Sequence, residues 1–288
     1  MPLGFGAVVR HSLFAAADGR GEPFQWRMGV RSTDAGQWLQ PDDRRVDDLR
    51  EKEALRARLG EETFVARPGS EAAGAEVLSL VEGELRRLGL SVASARRHPL
   101  DTAGLSVQED LCLLEPDAGS WRLSAASVCF PTRWDLPSKL GRSLREIHDP
   151  VPGYREQLGD QVDRFFDRMT PGALAARLNW SVVGDERRRL DPREPQAPPG
   201  APVDPGRDLF VRVERQTLRR LVDHPAIVFG IRIHVWPLEE VVDDLPGPVL
   251  ADLVESMPVD VADYKDLEAL RPGLVEWLRT RPPTGSTP

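Results

Sequence analysis

The sequence predicts an α+β fold: an antiparallel sheet of about five strands with flanking and inserted helices. Three observations point there. Helical-period stripes come first and last, with a meander of strand-like runs between them. LCLLEP, DAGS and WRLSAASVCF (within 111–130) read as strand, turn and strand, which makes a hairpin. Ala226–Trp236 alternates sharply, with Ile227, Phe229, Ile231, Ile233 and Val235 on one face and Val228, Gly230, Arg232, His234 and Trp236 on the other. That second face could line a polar pocket.

Taken in order, residues 1–24 have weak patterning and read as loosely attached. Trp26–Leu39 reads as a strand and turn leading into Pro41. Asp42–Leu59 is charge-dense and helical, with Val46, Leu49, Leu55 and Leu59 at helical spacing. Ser70 is a suitable N-cap for a second helix, which carries Val77, Leu78, Val81, Leu85 and Leu88 and stops at Gly89. After the hairpin, LGRSLREIH is a short helix ended by the restriction that Pro150 places on the residue before it. Tyr154–Met169 is a helix with Val162, Phe165, Phe166 and Met169 facing a core, and Arg177–Val183 is a short strand. Glu186–Arg207, dense in Pro and Gly, reads as a surface excursion. Leu209–Leu218 and Ala226–Trp236 pair about a turn at Asp223, His224 and Pro225. Helices follow at Leu250–Met257 and Leu267–Leu278, and 281–288 is a frayed tail. One domain, 25–280, is expected.

The 288 residues suffice for a sizeable core. A net charge of -8 argues against general nucleic-acid binding, which needs a basic face. No apolar run approaches the roughly 20 residues of a membrane span, and the N-terminus lacks the pattern of a signal peptide. The two cysteines, Cys112 and Cys129, lie in apolar runs and read as buried thiols of a cytoplasmic protein. They are too few for a four-cysteine cluster. A Walker loop, GxGxxG after a strand, HExxH and GxSxG are all absent.

Four places could carry chemistry. His148 ends the short helix beside Asp149, where it could ligate a metal or haem iron or simply cap free carbonyls. In FVRVERQTLRRL, Phe210, Arg212, Glu214 and Gln216 share one face, and Val211, Val213, Arg215 and Thr217 the other. Charges inside an apolar strand need partners: either a cross-strand ion pair such as Glu214 with Arg232, or bound carboxylates and amines. Arg133–Trp134, after Pro131, could meet a carboxylate or sit in solvent. Asn179–Trp180–Ser181 could frame a pocket or serve the core.

Six segments within Trp26–Trp236 resemble the haem-dependent oxidative N-demethylase family. In chain order they are WRMGVRSTDAGQWL, RPGSEAAGAEVL, HPLDTAGLSVQEDLCLL, LSAASVCFPTRWDLPSKLGRSLREIHDPVPGY, RLNWSV and LFVRVERQTLRRL. The resemblance implies a PAS-like domain holding haem b. It also implies O2-dependent removal of a methyl group from a small amine such as dimethylamine, with release of formaldehyde. Electrons would come from NADPH through a separate reductase carrying flavin and an iron–sulfur centre. It implies His148 of IHDPVPGY as the iron ligand, with His234 next in line. Arg133, Trp134, Arg215 and Arg219 are then expected to contact haem, and Glu214 to hold the alkylammonium. Two rival readings are a PAS-like haem or small-ligand sensor without turnover and a metal-free partner subunit; oligomerisation is open.

Overall fold

The computed structural model describes residues 28–193, 204–244 and 246–281. The expected loose segment 1–24, Trp26, residues 194–203 of the Pro-rich stretch and the tail 282–288 lie outside them. Seven strands form one antiparallel sheet: β1 (Arg31–Ser32), β2 (Phe64–Ala66), β3 (Asp110–Asp117), β4 (Ser120–Ser127), β5 (Leu174–Val183), β6 (Phe210–Arg220) and β7 (Ile227–Pro237). Their order is β1-β5-β6-β7-β3-β4-β2. The α+β class is therefore correct, but the sheet has seven strands rather than about five. β1, two residues at one edge, falls within the strand expected in Trp26–Leu39; β2, three residues at the other edge, is the addition, too short to leave a period in the sequence.

The helices are α1 (Arg45–Leu59), α2 (Glu71–Arg87), α3 (Pro99–Ser106), α4 (Leu144–Ile147), α5 (Asp160–Arg168), α6 (Pro205–Asp208), α7 (Leu238–Asp244), α8 (Gly247–Glu255), α9 (Val259–Tyr264) and α10 (Arg271–Arg279). α3, which the sequence reading passed over, is buried from Leu100 to Ser106. It lies so close to β4 that a Cβ on Gly104 would stand 2.3 Å from Ser127 Oγ, which restricts that position to glycine.

Register divides the central strands into two faces. Arg177 pairs with Gln216 and Asn179 with Glu214 across β5–β6. Glu214 pairs with Ile233, Gln216 with Ile231 and Leu218 with Phe229 across β6–β7. Directly opposed residues point the same way, so these side chains share one face, the Glu214 face. Arg215, Thr217, Arg219, Gly230, Arg232 and His234 occupy the other, the Arg215 face. On the Arg215 face, Trp38, α2 and α3 cover Val228 and Leu174, while α7 to α10 cover Val182, Val211 and Val213. On the Glu214 face, Leu136, Leu144, Ile147, Phe166 and Met169 pack on Leu218, Ile227 and Cys112. The centre of that face stays half-buried at Arg177, Asn179, Glu214, Gln216, Phe229 and Ile231.

Two local expectations are corrected. Val46 of α1 is exposed, and the side chains that α1 buries are Asp48, Lys52 and Leu55. Asp48 accepts from Arg232 Nη1 at 3.0 Å and Gln108 Nε2 at 2.7 Å, while Lys52 Nζ donates to Val107 O and Glu109 O. An ion network seats this helix together with the last part of the expected stripe, Leu55 and Leu59, which pack with Cys129, Phe130 and Ile233. Ser70 stands before α2 but does not cap it; its hydroxyl donates to Arg67 O at 2.7 Å.

Candidate functional site

The segment carrying His148 is fixed locally. Ser143 and Glu146 form a capping box at the start of α4, with Ser143 N donating to Glu146 Oε2 at 2.7 Å. The helix is one turn long rather than the expected two, and His148 is its C-cap. Nδ1 of His148 lies 2.8 Å from Leu144 O; a carbonyl only accepts, so Nδ1 carries the proton. The ring stacks on Tyr154, with centroids 4.4 Å apart and planes 10° from parallel. Burial, helped by the charges of Arg177 and Lys139, holds the imidazole below its usual pKa, against the Leu144 bond that favours protonation. A neutral ring with Nδ1–H committed to backbone leaves a lone pair on Nε2, the state a metal-ligating histidine needs. Directly after Tyr154, Arg155–Gly159 forms a π turn where a plain α-helix was expected, and α5 follows it. This irregularity carries Tyr154 to the imidazole while α5 still packs Phe166 into the core.

Glu214 lies in a nest of donors. Thr132 Oγ1 donates to Oε1 at 2.5 Å, and Asn179 Nδ2 and Gln216 Nε2 donate to Oε2 at 3.3 and 2.9 Å. Thr132 in turn accepts from Arg212 Nε at 2.9 Å. Arg212 is 1% exposed, and its other nitrogens donate to Phe130 O, Arg187 O and Arg188 O. Arg177 and Lys265 are near enough to Glu214 to interact electrostatically. Lys265 Nζ donates to Trp180 O at 2.7 Å, and burial lowers its pKa to about 8.

The predicted residues separate into groups. His148 and Glu214 both serve the Glu214 face; Arg177 interacts electrostatically with each. Trp134 is half-buried against the cluster of Leu136, Leu144 and Ile147. Arg133 is on this side too, with its guanidinium committed to Asp266. Both residues of that pair have left-handed backbone, φ 55° each. Arg215 and Arg219, expected to join His148 around one cofactor, lie on the opposite face. Arg215 donates to the carbonyls of Trp38 and Gln37, and Arg219 stacks over the Trp38 ring at 4.4 Å. The alternation of β6 makes the separation unavoidable. The suggested Glu214–Arg232 pair is also absent: register opposes Glu214 to Ile233, and Arg232 bonds Asp42 and Asp48.

The second face of β7 contributes to a polar pocket as expected, but Ile233 and Val235 of the first face line it too. A cleft of about 1500 Å³ is lined by Arg232, His234, Trp236, Asp48 and Arg188 among others. His234 stacks on Trp236 at 5.2 Å, and burial, with the Arg232 charge, depresses its pKa to about 4. Sequence reasoning missed Arg177, Tyr154, Thr132 and Lys265 as members of the site. Of these, only Arg177 left a signal, a charge inside a strand.

Among the described residues no three His, Cys, Asp or Glu side chains gather as a metal cluster. Haem iron needs only one, because the porphyrin supplies the rest. No helix among them is long and apolar enough to cross a membrane. Compared with known families, residues 82–275, well over half of the chain, match the model of the haem-dependent oxidative N-demethylase, alpha subunit-like. The match starts later and runs further towards the C-terminus than the Trp26–Trp236 resemblance did, taking in α7, α8 and α9.

Proposed function

The chain belongs to the haem-dependent oxidative N-demethylase alpha subunit-like family, and on that premise we propose that it is a PAS-like haem b protein that removes a methyl group from a small amine. The observation that carries this reading is the state of His148: half-buried, held below its usual pKa, with Nδ1–H tied to Leu144 O and Nε2 left as a donor of electrons. On the same face, Phe229 and Trp134 offer half-buried apolar surface in the cluster of Ile147, and Arg177, Asn179 and Gln216 offer polar groups. A flat apolar ring with a charged rim suits that mixture.

Bound haem would supply O2 activation with electrons from a separate reductase. The overall reaction takes the N-methyl amine, O2, two electrons and two protons to the demethylated amine, formaldehyde and water. The chain's own contribution is positioning. His148 would hold the haem iron through Nε2, and the stacked Tyr154 restrains the turning of its ring. Glu214 attracts the alkylammonium. Three donors occupy its two oxygens, and a carboxylate has about four acceptor positions, so one is left for a substrate N–H. Arg212 acts through Thr132 to hold the carboxylate still.

The test is spectroscopic first and chemical second. Purified protein titrated with haem should develop a Soret band, and with a reductase, NADPH and dimethylamine should release formaldehyde. Absence of a Soret band ends the reading. Tight haem without product from any methylamine transfers the protein to the sensor class.

A further inference from the structure

Among the described residues the buried and half-buried arginines of the sheet are provided for by hydrogen bonds or, for Arg219 and for Arg220, whose Nε and Nη1 also lack hydrogen-bond partners, by a stack over Trp38 or Trp121, with one exception. Arg212 has carbonyls and Thr132, Arg215 has the carbonyls of Gln37 and Trp38, and Arg232 has Asp42 and Asp48. Arg177 is the exception. It lies mid-strand on β5, opposite Gln216 and one step along the same face from Asn179. Its Nε is buried without a hydrogen-bond partner, and no carboxylate of the described residues comes within 4.0 Å of its guanidinium. Glu214 moderates its charge from beyond contact range.

A guanidinium does not shed its proton to escape burial, and leaving its buried Nε–H unmet costs about 1–3 kcal/mol. A protein tolerates such a group where an anion arrives to meet it. The position narrows which anion. Arg177 shares its face with Leu218, on which Ile147 packs directly before His148, and it interacts electrostatically with His148 and Tyr154, so an anion on it lies on the imidazole's side of the sheet. Glu214 repels the carboxylate of a free substrate but not one tethered to a group already held elsewhere. Resting on the haem reading above, we propose that Arg177 is the receptor for a haem propionate, and that it, rather than Arg133, Arg215 or Arg219, supplies the charge that orients the cofactor against His148.

The experiment compares haem with haem dimethyl ester, in which both propionates are neutral, by Soret titration of wild type, Arg177→Gln and Arg177→Lys. Wild type should prefer haem over the ester by about ten- to hundredfold, the value of a charge-assisted hydrogen bond. Arg177→Gln should bind both nearly equally, and Arg177→Lys should keep part of the preference. In the haem-free state Arg177→Gln should melt no lower than wild type, because it removes an uncompensated charge. Equal binding of haem and ester by wild type overturns the assignment, as does a preference that survives in Arg177→Gln. A lowered melting temperature or failure to fold in haem-free Arg177→Gln also overturns it, since it makes the role structural. Failure of wild type to bind either porphyrin sinks the haem reading itself, a distinct result.

Discussion

The two faces of the central sheet treat charge in opposite ways. On the Arg215 face, Arg232 meets Asp42 at 2.8 Å and Asp48 at 3.0 Å, and Asp48 also accepts from Gln108. Arg232 and Arg177 each bury an Nε without a hydrogen-bond partner, but Arg232 has carboxylates on its other two nitrogens, whereas on the Glu214 face Arg177 has none of the described residues' carboxylates within 4.0 Å and Glu214 is supported by neutral donors alone. Both arginines sit in the same sheet, and both would fail a simple rule that charges belong outside. The difference teaches that a buried charge becomes informative only after its partners are counted. A satisfied one locks the fold, and an unsatisfied one points to something bound.

The contrast can be broken first at the imidazole. His148→Ala should lower haem affinity by at least about a hundredfold, as loss of a metal ligand exceeds the 10- to 100-fold cost of losing its supporting groups. Soret titration reads the affinity, and circular dichroism should find the fold intact. Retained affinity would move the ligand elsewhere, with His234 the next to test. On the other face the largest effect is on stability. Asp48→Ala leaves Arg232 and Arg188 short of a buried carboxylate and should cost about 3–5 kcal/mol in chemical denaturation. A loss below about 1 kcal/mol would show that the pairing on this face is not what seats α1.

A milder pair of measurements sharpens the boundary between the faces. His234 is held neutral down to about pH 4 in the folded chain, by burial first and then by the Arg232 charge, against about 6.5 when unfolded. Between those values the unfolded state binds more protons. The contribution is therefore complete above about pH 6.5 and is lost as pH falls towards 4, by on the order of 1–3 kcal/mol. His234→Gln should flatten that part of the stability profile. Smallest is Arg219→Leu, which removes the stack over Trp38 and should cost about 0.5–2 kcal/mol. Haem affinity should not change; a measurable drop would return Arg219 to the cofactor side.

How much of this was readable beforehand depends on the range of the interactions. The faces of β6 and β7 were legible because alternation is local, and the place of His148 was legible because Pro150 limits the helix before it. Arg177 was legible as a strand residue only. Its electrostatic interaction with His148 and Tyr154 joins segments distant in the chain, which leaves no mark on neighbouring residues. The seating of α1 was misread because hydrophobic periodicity cannot see an acid at position 48 that answers a base at position 232. Ser70 illustrates the same limit: a good capping residue took the nearer carbonyl of Arg67 instead.

The strict alternation of β6 also sets which genetic accidents the chain can survive. Exchanging one side chain for another in Phe210–Arg220 perturbs one position. Dropping a single codon is different: without Arg215, every residue on one side of the gap turns through the sheet. Either Glu214 or Gln216 would then enter the apolar layer beneath, and the acid and its amide support could no longer meet. For this strand, length is the heritable quantity that matters most.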